Sequence, residues 1–221
     1  MLFVIATLTP LLSAAFIGSI YEPAYLTAVS ASENQVLIGV LLLLTMTAAI
    51  VSIPILLFPI LKKQHESLAL GYVGARIFEG FFSAVNIIAI LSLLSLSRKF
   101  IGAGAIAVAH FQTSGALLLA QFNWGSLLLD VPFCISAIVL NYLLYKAKLV
   151  PRWLSGWGFI GGAVWLPTVP FRMFSLLPES LEVLALIIAA QEMVFAVWLI
   201  AKGFNLSAVN SKSTETDPNK G

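Results

Sequence analysis

A thirty-residue apolar stretch from Leu68 to Ser97 most constrains how this chain can fold. A continuous apolar run of roughly eighteen or more residues predicts a membrane-spanning helix, and this one is long enough to cross with some tilt. A charged side chain that faces lipid costs a few kcal/mol, so its polar side chains are expected to face other helices or water. Four polar residues stand at helical spacing on one face of it, namely Arg76, Glu79, Ser83 and Asn86.

The composition of the whole chain agrees with a membrane protein. Of its 221 residues 60% are hydrophobic and only 10% are charged, whereas about 25% are charged in an ordinary soluble domain. The sequence therefore predicts an all-α fold, a polytopic transmembrane helical bundle in one domain over residues 1–204. Residues 205–221 are polar and are expected to form a disordered tail. The net charge of +2 and the lack of a basic cluster with aromatics exclude nucleic acid as a partner.

The apolar runs predict six spans. They cover residues 1–20, about 35–61, 68–97, about 125–145, about 153–174 and 181–202. The first run lacks a basic leading segment, which favours a helix over a cleaved signal peptide. Ser32 and Gln35 have the spacing of a capping box at the start of the second span. Residues 98–121 are interrupted by glycines and polar side chains and are predicted to form an extra interfacial helix between spans 3 and 4.

The distribution of basic residues predicts the orientation. With six spans and the N-terminus inside, eight of the twelve basic residues fall in inner loops or the tail. These are Lys62, Lys63, Lys146, Lys148, Arg152, Lys202, Lys212 and Lys220. Because cytoplasmic loops carry an excess of Lys and Arg, both termini are predicted to be cytoplasmic.

Two further spans carry narrow stripes of small and polar residues. The stripe of the fourth span is Asp130, Cys134, Ala137 and Asn141, and that of the sixth is Ala185, Ala189, Glu192 and Ala196. Small residues at this spacing let helices approach closely. We therefore expect the third, fourth and sixth spans to pack face to face around a polar interior.

Depth along the helices predicts how the buried charges pair. Arg76 and Glu192 differ in depth by only a few ångströms, within the reach of an arginine side chain. Arg76 is expected to bridge Glu79 or Glu192, and Asp130 is expected to meet Arg172. The candidate ligand-binding residues are Arg76, Glu79, Asn86, Asp130, Asn141 and Glu192.

Three functions fit this polar interior, and the sequence does not choose among them. The charges could fix helix register only, as in a structural or partner-binding envelope protein. They could bind or pass a small ligand, cation or proton, since acids outnumber bases in the interior. Paired carboxylates, Glu79 with Glu192, could also support an intramembrane hydrolase. The sequence specifies neither a protein partner nor an oligomeric state.

Signals for an enzyme, a metal or a cofactor are poor. The two histidines, His65 and His110, are predicted on opposite sides of the membrane and so cannot share a metal site. Cys134 is the only cysteine, which excludes a Cys-based zinc site. No catalytic motif of a metalloprotease, serine hydrolase or nucleotide-binding protein is present in the sequence. The sequence thus favours a protein without enzymatic activity, metal or cofactor.

The segment PRWLSGWGFIGG, from Pro151 to Gly162, is the most distinctive linear motif. Its Arg152, Trp153 and Trp157 are typical of a helix end anchored at the lipid headgroups. The alternative is that these three side chains recognise a lipid headgroup or a protein partner. Gly158 and Gly162 form a G-x-x-x-G pair, which favours close packing against another helix.

Several segments together resemble one protein family. They are SASENQVLIG, PILKKQHESLALGYVGARIFEG, FQTSGALLLA, LVPRWLSGWGFIGG and QEMVFAVWLIAKGFN. With their spacing they resemble the DUF 4386 family of bacterial multi-span membrane proteins, a domain of unknown function, over almost the whole chain. The resemblance implies a bacterial inner (plasma) membrane protein, but no activity, substrate or catalytic residue to carry over. Family members usually begin with a short basic segment, which suggests a truncated start here.

Overall fold

Most of the chain is helical in the part that the structure describes. The structure is a computed structural model, and it describes residues 1–102, 107–177 and 183–205. Its α-helices are α1 (Leu2–Phe16), α2 (Tyr25–Ala31), α3 (Glu33–Leu61), α4 (Glu66–Ile101), α5 (Val108–Ala147), α6 (Arg152–Trp165), α7 (Thr168–Met173) and α8 (Val183–Ala201), with a 3₁₀ turn at Gly18–Tyr21. The predicted all-α class is confirmed. The predicted disordered tail, apart from Asn205, lies outside the described residues.

Three helices, α3, α4 and α5, are long and apolar enough to cross a membrane. Two more, α1 and the Ala185–Ala201 part of α8, are apolar but shorter. At 1.5 Å rise per residue, the 36 residues of α4 measure about 54 Å and the 40 residues of α5 about 60 Å. Both exceed the roughly 30 Å hydrocarbon core of a bilayer. The described helices therefore indicate a membrane protein but do not supply six long spans.

The separate interfacial helix predicted at residues 98–121 is wrong. Residues up to Ile101 belong to α4, and those from Val108 onward belong to α5, which runs unbroken to Ala147. The polar residues from His110 to Ser114 do not interrupt the helix because their side chains lie mainly on its exposed side. Gly115 serves close packing, since a Cβ there would come within 2.7 Å of the Tyr25 hydroxyl oxygen.

Prolines act differently in the two helices where they are expected to cause distortion. The fifth predicted span, 153–174, is divided into α6 and α7 by a break at Leu166 and Pro167. In α3, by contrast, the helix continues past Pro54 and Pro59 to Leu61. A proline removes one helical hydrogen bond, and packing against neighbouring helices can hold the remaining turns together.

The start of α3 differs in detail from the predicted capping box. Ser32 does stand at the N-cap position, but its side chain does not cap α3. Its hydroxyl instead donates a 2.7 Å hydrogen bond to the Ala28 carbonyl of α2. The predicted position of the helix start is correct, and the predicted bonding is not.

Successive packing of α3, α4 and α5 forms the centre of the bundle. α1 packs on α3, and α6 packs on α5, while α8 contacts α6 and α1. The expectation that the third, fourth and sixth spans pack face to face is thus only partly right, because α8 lies mainly on other neighbours. The alternating helix directions bring six basic residues to one end of the bundle. This basic end contains Lys62, Lys63, Lys146, Lys148, Arg152 and Lys202.

Candidate functional site

One cavity collects four of the six candidate ligand-binding residues. Its volume is about 250 Å³. Among the side chains in its wall are Arg76 and Glu79 from α4, Asp130 from α5 and Glu192 from α8. Apolar residues of α1, α3 and α5 complete the lining, among them Phe3, Met46, Ile50 and Phe133. We call it the charged cavity.

Arg76 bridges both glutamates of the charged cavity. Its Nη1 donates to Glu79 Oε1 and Oε2 at 3.2 and 3.1 Å, and its Nη2 donates to Glu192 Oε1 at 3.5 Å. The Arg76 and Glu79 side chains are 3% exposed and Glu192 is 18% exposed, so Glu192 is the more accessible acid. The prediction that Arg76 pairs with Glu79 or Glu192 is confirmed for both partners.

Aromatic rings complete the surroundings of the guanidinium. The central carbon of Arg76 lies 5.8 Å from the ring centroid of Tyr72 and 5.7 Å from that of Phe133. A guanidinium over an aromatic ring is attracted by the electrons of the ring face. These rings and the two carboxylates hold the guanidinium in place.

The first helix supplies a polar group that the sequence analysis missed. The Thr7 hydroxyl lies 3.4 Å from Glu192 Oε2 and 3.0 Å from the Phe3 carbonyl oxygen, and it has one proton to donate. Thr7 is buried although it belongs to an apolar helix. A threonine commonly bonds to its own helix, so it gave no signal in the sequence.

Prolines in α1 and α3 remove the helical hydrogen-bond donors of two residues that line the charged cavity. Pro10 has no N–H for the Ala6 carbonyl, and Pro54 has none for the Ile50 carbonyl, four residues earlier in each helix. Ala6 and Ile50 both line the cavity. Two residues of the cavity wall thus have carbonyls without their usual helical donor.

The second predicted ion pair also forms. Arg172 Nη1 in α7 donates to Asp130 Oδ2 in α5 at 2.5 Å, with side-chain exposures of 27% and 21%. The Arg172 guanidinium also lies 5.2 Å from the Trp165 ring centroid. Asp130 lines the charged cavity and Arg172 does not. This pair therefore joins α7 to α5 at one residue of the cavity wall.

The two candidate asparagines lie away from the charged cavity and join helices. Asn86 Nδ2 donates to Ser126 Oγ at 2.9 Å, which links α4 to α5. Asn141 Oδ1 accepts from Gln191 Nε2 at 3.4 Å, which links α5 to α8. Neither asparagine lines the cavity. Their predicted ligand-binding role has no support from their position.

The glycine pair of α6 packs closely against α5, as predicted. A Cβ at Gly158 would lie 2.4 Å from Asn141 Nδ2, and one at Gly162 would lie 3.3 Å from the Cys134 carbonyl oxygen. At the start of α6, Trp153 is exposed and the Arg152 guanidinium lies 5.2 Å from the Tyr145 ring centroid. The anchoring role of Arg152, Trp153 and Trp157 stays a prediction.

No cluster of metal ligands is present in the described residues. Within residues 1–102, 107–177 and 183–205, no three His, Cys, Asp or Glu side chains are grouped so that they could hold a metal ion. His65 caps α4 by accepting from the Leu68 N–H at 3.3 Å, and His110 is exposed on α5. The three carboxylates of the charged cavity are thus arranged around arginines and not around a common centre.

Fold and site together define a class of protein: a helical protein with three membrane-length helices and a partly buried cavity of opposed charges. Residues 1–203 match the DUF4386 family, a domain of unknown function, and the chain belongs to that family. The resemblance drawn from the sequence is therefore confirmed. No curated protein and no solved structure matches the chain.

Proposed function

We propose that the protein is a multi-pass protein of a bacterial plasma membrane, with the basic end facing the cytoplasm. The crossings would be α3, α4 and α5 together with the shorter α1, α6–α7 and α8, which restores six. The excess of Lys and Arg at the basic end supports this orientation, because cytoplasmic loops are enriched in these residues. It would place both termini in the cytoplasm.

The charged cavity is proposed to bind one small positive charge, either a proton or a monovalent cation, and to hold or pass it within the membrane. The charge count of the cavity carries this proposal. Glu79, Asp130 and Glu192 are matched by only two guanidiniums, Arg76 and Arg172, which leaves one negative charge when all are ionised. An uncompensated charge in a low-dielectric interior is costly and favours binding of a proton or a cation.

The remaining groups of the charged cavity also suit a cation. The Thr7 hydroxyl oxygen and the carbonyls released by Pro10 and Pro54 are oxygen acceptors of the kind that coordinate cations. The volume of about 250 Å³ has room for several water molecules, and is below the range of cavities that hold drug-sized ligands. A small ion with part of its water shell fits this space.

A purely structural role makes a different prediction for the same residues. In that case Arg76 and its two acids hold α4 and α8 together, and no ligand changes the stability of the protein.

A carboxylate hydrolase is a second candidate, favoured by one observation: Glu79 and Glu192 line the same cavity.

Thermal unfolding of the detergent-purified protein against pH and a panel of monovalent cations separates binding from structure. A ligand of the native state stabilises it by RT ln(1 + [L]/Kd), about 2.7 kcal/mol at a hundredfold excess over Kd. We expect a cation-dependent or proton-dependent rise in Tm for the wild type and its loss in Glu192→Gln.

Glu33→Gln is the matched control, because Glu33 pairs with Arg98 in an exposed bridge outside the charged cavity. This variant should keep the full response. A response that survives in Glu192→Gln, or no response in the wild type, would contradict cation binding and favour the structural role. The hydrolase candidate predicts turnover of a hydrolysable substrate that both Glu79→Gln and Glu192→Gln abolish.

A further inference from the structure

A second cavity lies at the basic end of the bundle, away from the charged cavity. Its volume is about 330 Å³. One wall is the turn between α5 and α6, from Lys148 to Pro151, and the other is the end of α8 with the residues after it, including Trp198 and Lys202. We call it the terminal cavity.

Main-chain hydrogen bonds fix the shape of the terminal cavity. The Asn205 N–H donates to the Leu149 carbonyl at 2.9 Å, which ties the segment after α8 to the turn after α5. The Leu149 N–H donates to the Leu144 carbonyl at 3.2 Å, and Leu149 is fully buried. Gly203 has φ +68°, a left-handed conformation that glycine adopts without strain, and this allows the chain to turn back after α8.

The charge of the terminal cavity is positive. Lys148 and Lys202 both contribute to its wall, and none of the described residues that line it is acidic. Neither lysine has a carboxylate oxygen within 4.0 Å in the described part of the chain. Two ammonium groups beside one cavity, with no counter-charge among the described residues, attract an anion.

Lys148 has a left-handed backbone conformation that glycine adopts more easily. Its φ of 53° and ψ of 31° are left-handed, at the C-cap of α5, where glycine is the usual residue. A lysine at this position stores backbone strain, and strained residues are concentrated at functional sites. The backbone conformation alone would favour glycine. The ammonium group is therefore what a lysine contributes at this position.

We propose that the terminal cavity binds a phosphate group, supplied by the headgroup of an anionic phospholipid. Basic pockets between helices at the cytoplasmic membrane surface hold such headgroups, and Trp198 and Phe204 provide apolar surface beside the two lysines. The choice of a lipid as the source rests on the membrane placement under the proposed function. It does not depend on the charged cavity binding a cation.

Native mass spectrometry of the full-length protein in mixed micelles provides the test. The protein is titrated with phosphatidylglycerol or with phosphatidylcholine, and inorganic phosphate is added in a separate arm. We expect one preferentially bound phosphatidylglycerol per chain, and a loss of about fivefold in its affinity in Lys148→Gln or Lys202→Gln. Lys63→Gln is the matched control, since Lys63 is exposed at the same end but does not line the terminal cavity.

Lys148→Gly separates charge from structure. It relieves the left-handed strain and removes the ammonium group, so we expect an unchanged or higher Tm together with weaker phosphatidylglycerol binding. Inorganic phosphate that displaces the lipid, or that binds to the wild type and not to Lys148→Gly, would assign the site to phosphate in general. Equal binding of the two lipids without any phosphate effect, or an equal loss in Lys63→Gln, would overturn the proposal. These results are independent of the cation response of Glu192.

Discussion

Glu192 of α8 lies 3.5 Å from Arg76 of α4, although 116 positions separate them in the sequence. Arg76 also holds Glu79 one helical turn away, so one guanidinium serves two carboxylates on different helices. The two helices have no extensive contact elsewhere, since α8 packs on α6 and α1. The Arg76–Glu192 contact is therefore the main polar tie between α8 and α4.

Replacing Arg76 should destabilise the protein more than replacing Glu192. Arg76→Gln leaves Glu79 buried without its partner, and breaking a buried pair in this way costs about 3–5 kcal/mol. Glu192 is 18% exposed and its contact is longer, so Glu192→Gln should cost less. Thermal unfolding in detergent measures both. Equal losses in the two variants would contradict the central position of Arg76.

The Thr7 hydroxyl is expected to strengthen the cation response that depends on Glu192. Thr7→Val keeps the shape of the side chain and removes the hydroxyl that lies 3.4 Å from Glu192 Oε2. Loss of one such hydrogen bond costs about 0.5–1.5 kcal/mol, and we expect a weaker cation response by a similar free energy. Thr45→Val is the control, because Thr45 bonds to the Leu41 carbonyl of its own helix and does not line the charged cavity. A Thr7→Val protein with an unchanged response would exclude Thr7 from the site.

Pro10 is expected to destabilise α1 and to leave the Ala6 carbonyl available as a cation ligand. Pro10→Ala restores an N–H for the Ala6 carbonyl, so the free energy of unfolding should increase by up to about 3 kcal/mol and Tm should rise. The cation response should decrease. Pro59→Ala should raise stability without affecting the response, since Pro59 is exposed and neither it nor Ile55 lines the cavity. A cation titration followed by thermal unfolding distinguishes the two variants. An undiminished response in Pro10→Ala would show that the released carbonyl is not a ligand.

Two glycines on α6 should respond to alanine in opposite directions. Gly158→Ala places a Cβ 2.4 Å from Asn141 Nδ2 and should cost about 1–3 kcal/mol by overpacking the contact between α5 and α6. A Cβ at Gly156 would meet no neighbouring atom within 4 Å, so Gly156→Ala should stabilise the helix by about 0.5–1 kcal/mol. Urea or thermal unfolding of the two variants side by side gives the comparison. The same sign for both changes would place α6 differently on α5.

Burial of charge made the ion pairs predictable from sequence. A guanidinium in an apolar helix must find a carboxylate, and few carboxylates lie at the right depth, so Arg76 and Arg172 each had few possible partners. The asparagines were harder to place, because an amide bonds equally well to a ligand or to a neighbouring helix. Asn141 accordingly bonds to Gln191 and does not line the charged cavity.

Two features could not be predicted from the sequence in this way: the unbroken course of α5 and the contribution of α1 to the charged cavity. Glycine and small polar residues occur both in surface helices and in closely packed ones. The close contact of Gly115 with Tyr25 could therefore not be predicted from the sequence. Which helix neighbours which also depends on long-range packing. For that reason Glu192 was correctly paired with Arg76, while the prediction missed that α8 packs mainly on α6 and α1.

The lengths of α4 and α5 have a consequence for the surrounding bilayer. A crossing helix of about 54 Å would have to lean by more than about 50° to hide within a layer of about 30 Å, beyond the roughly 0–40° found for such helices. If α4 crosses a bilayer, part of it therefore extends beyond the lipid tails; α2 packs against the half of α4 that contains Ile87 to Leu94. With that placement, the depth of Arg76 below the headgroups depends on bilayer thickness, so bilayers of different acyl-chain length should change the environment of the charged cavity.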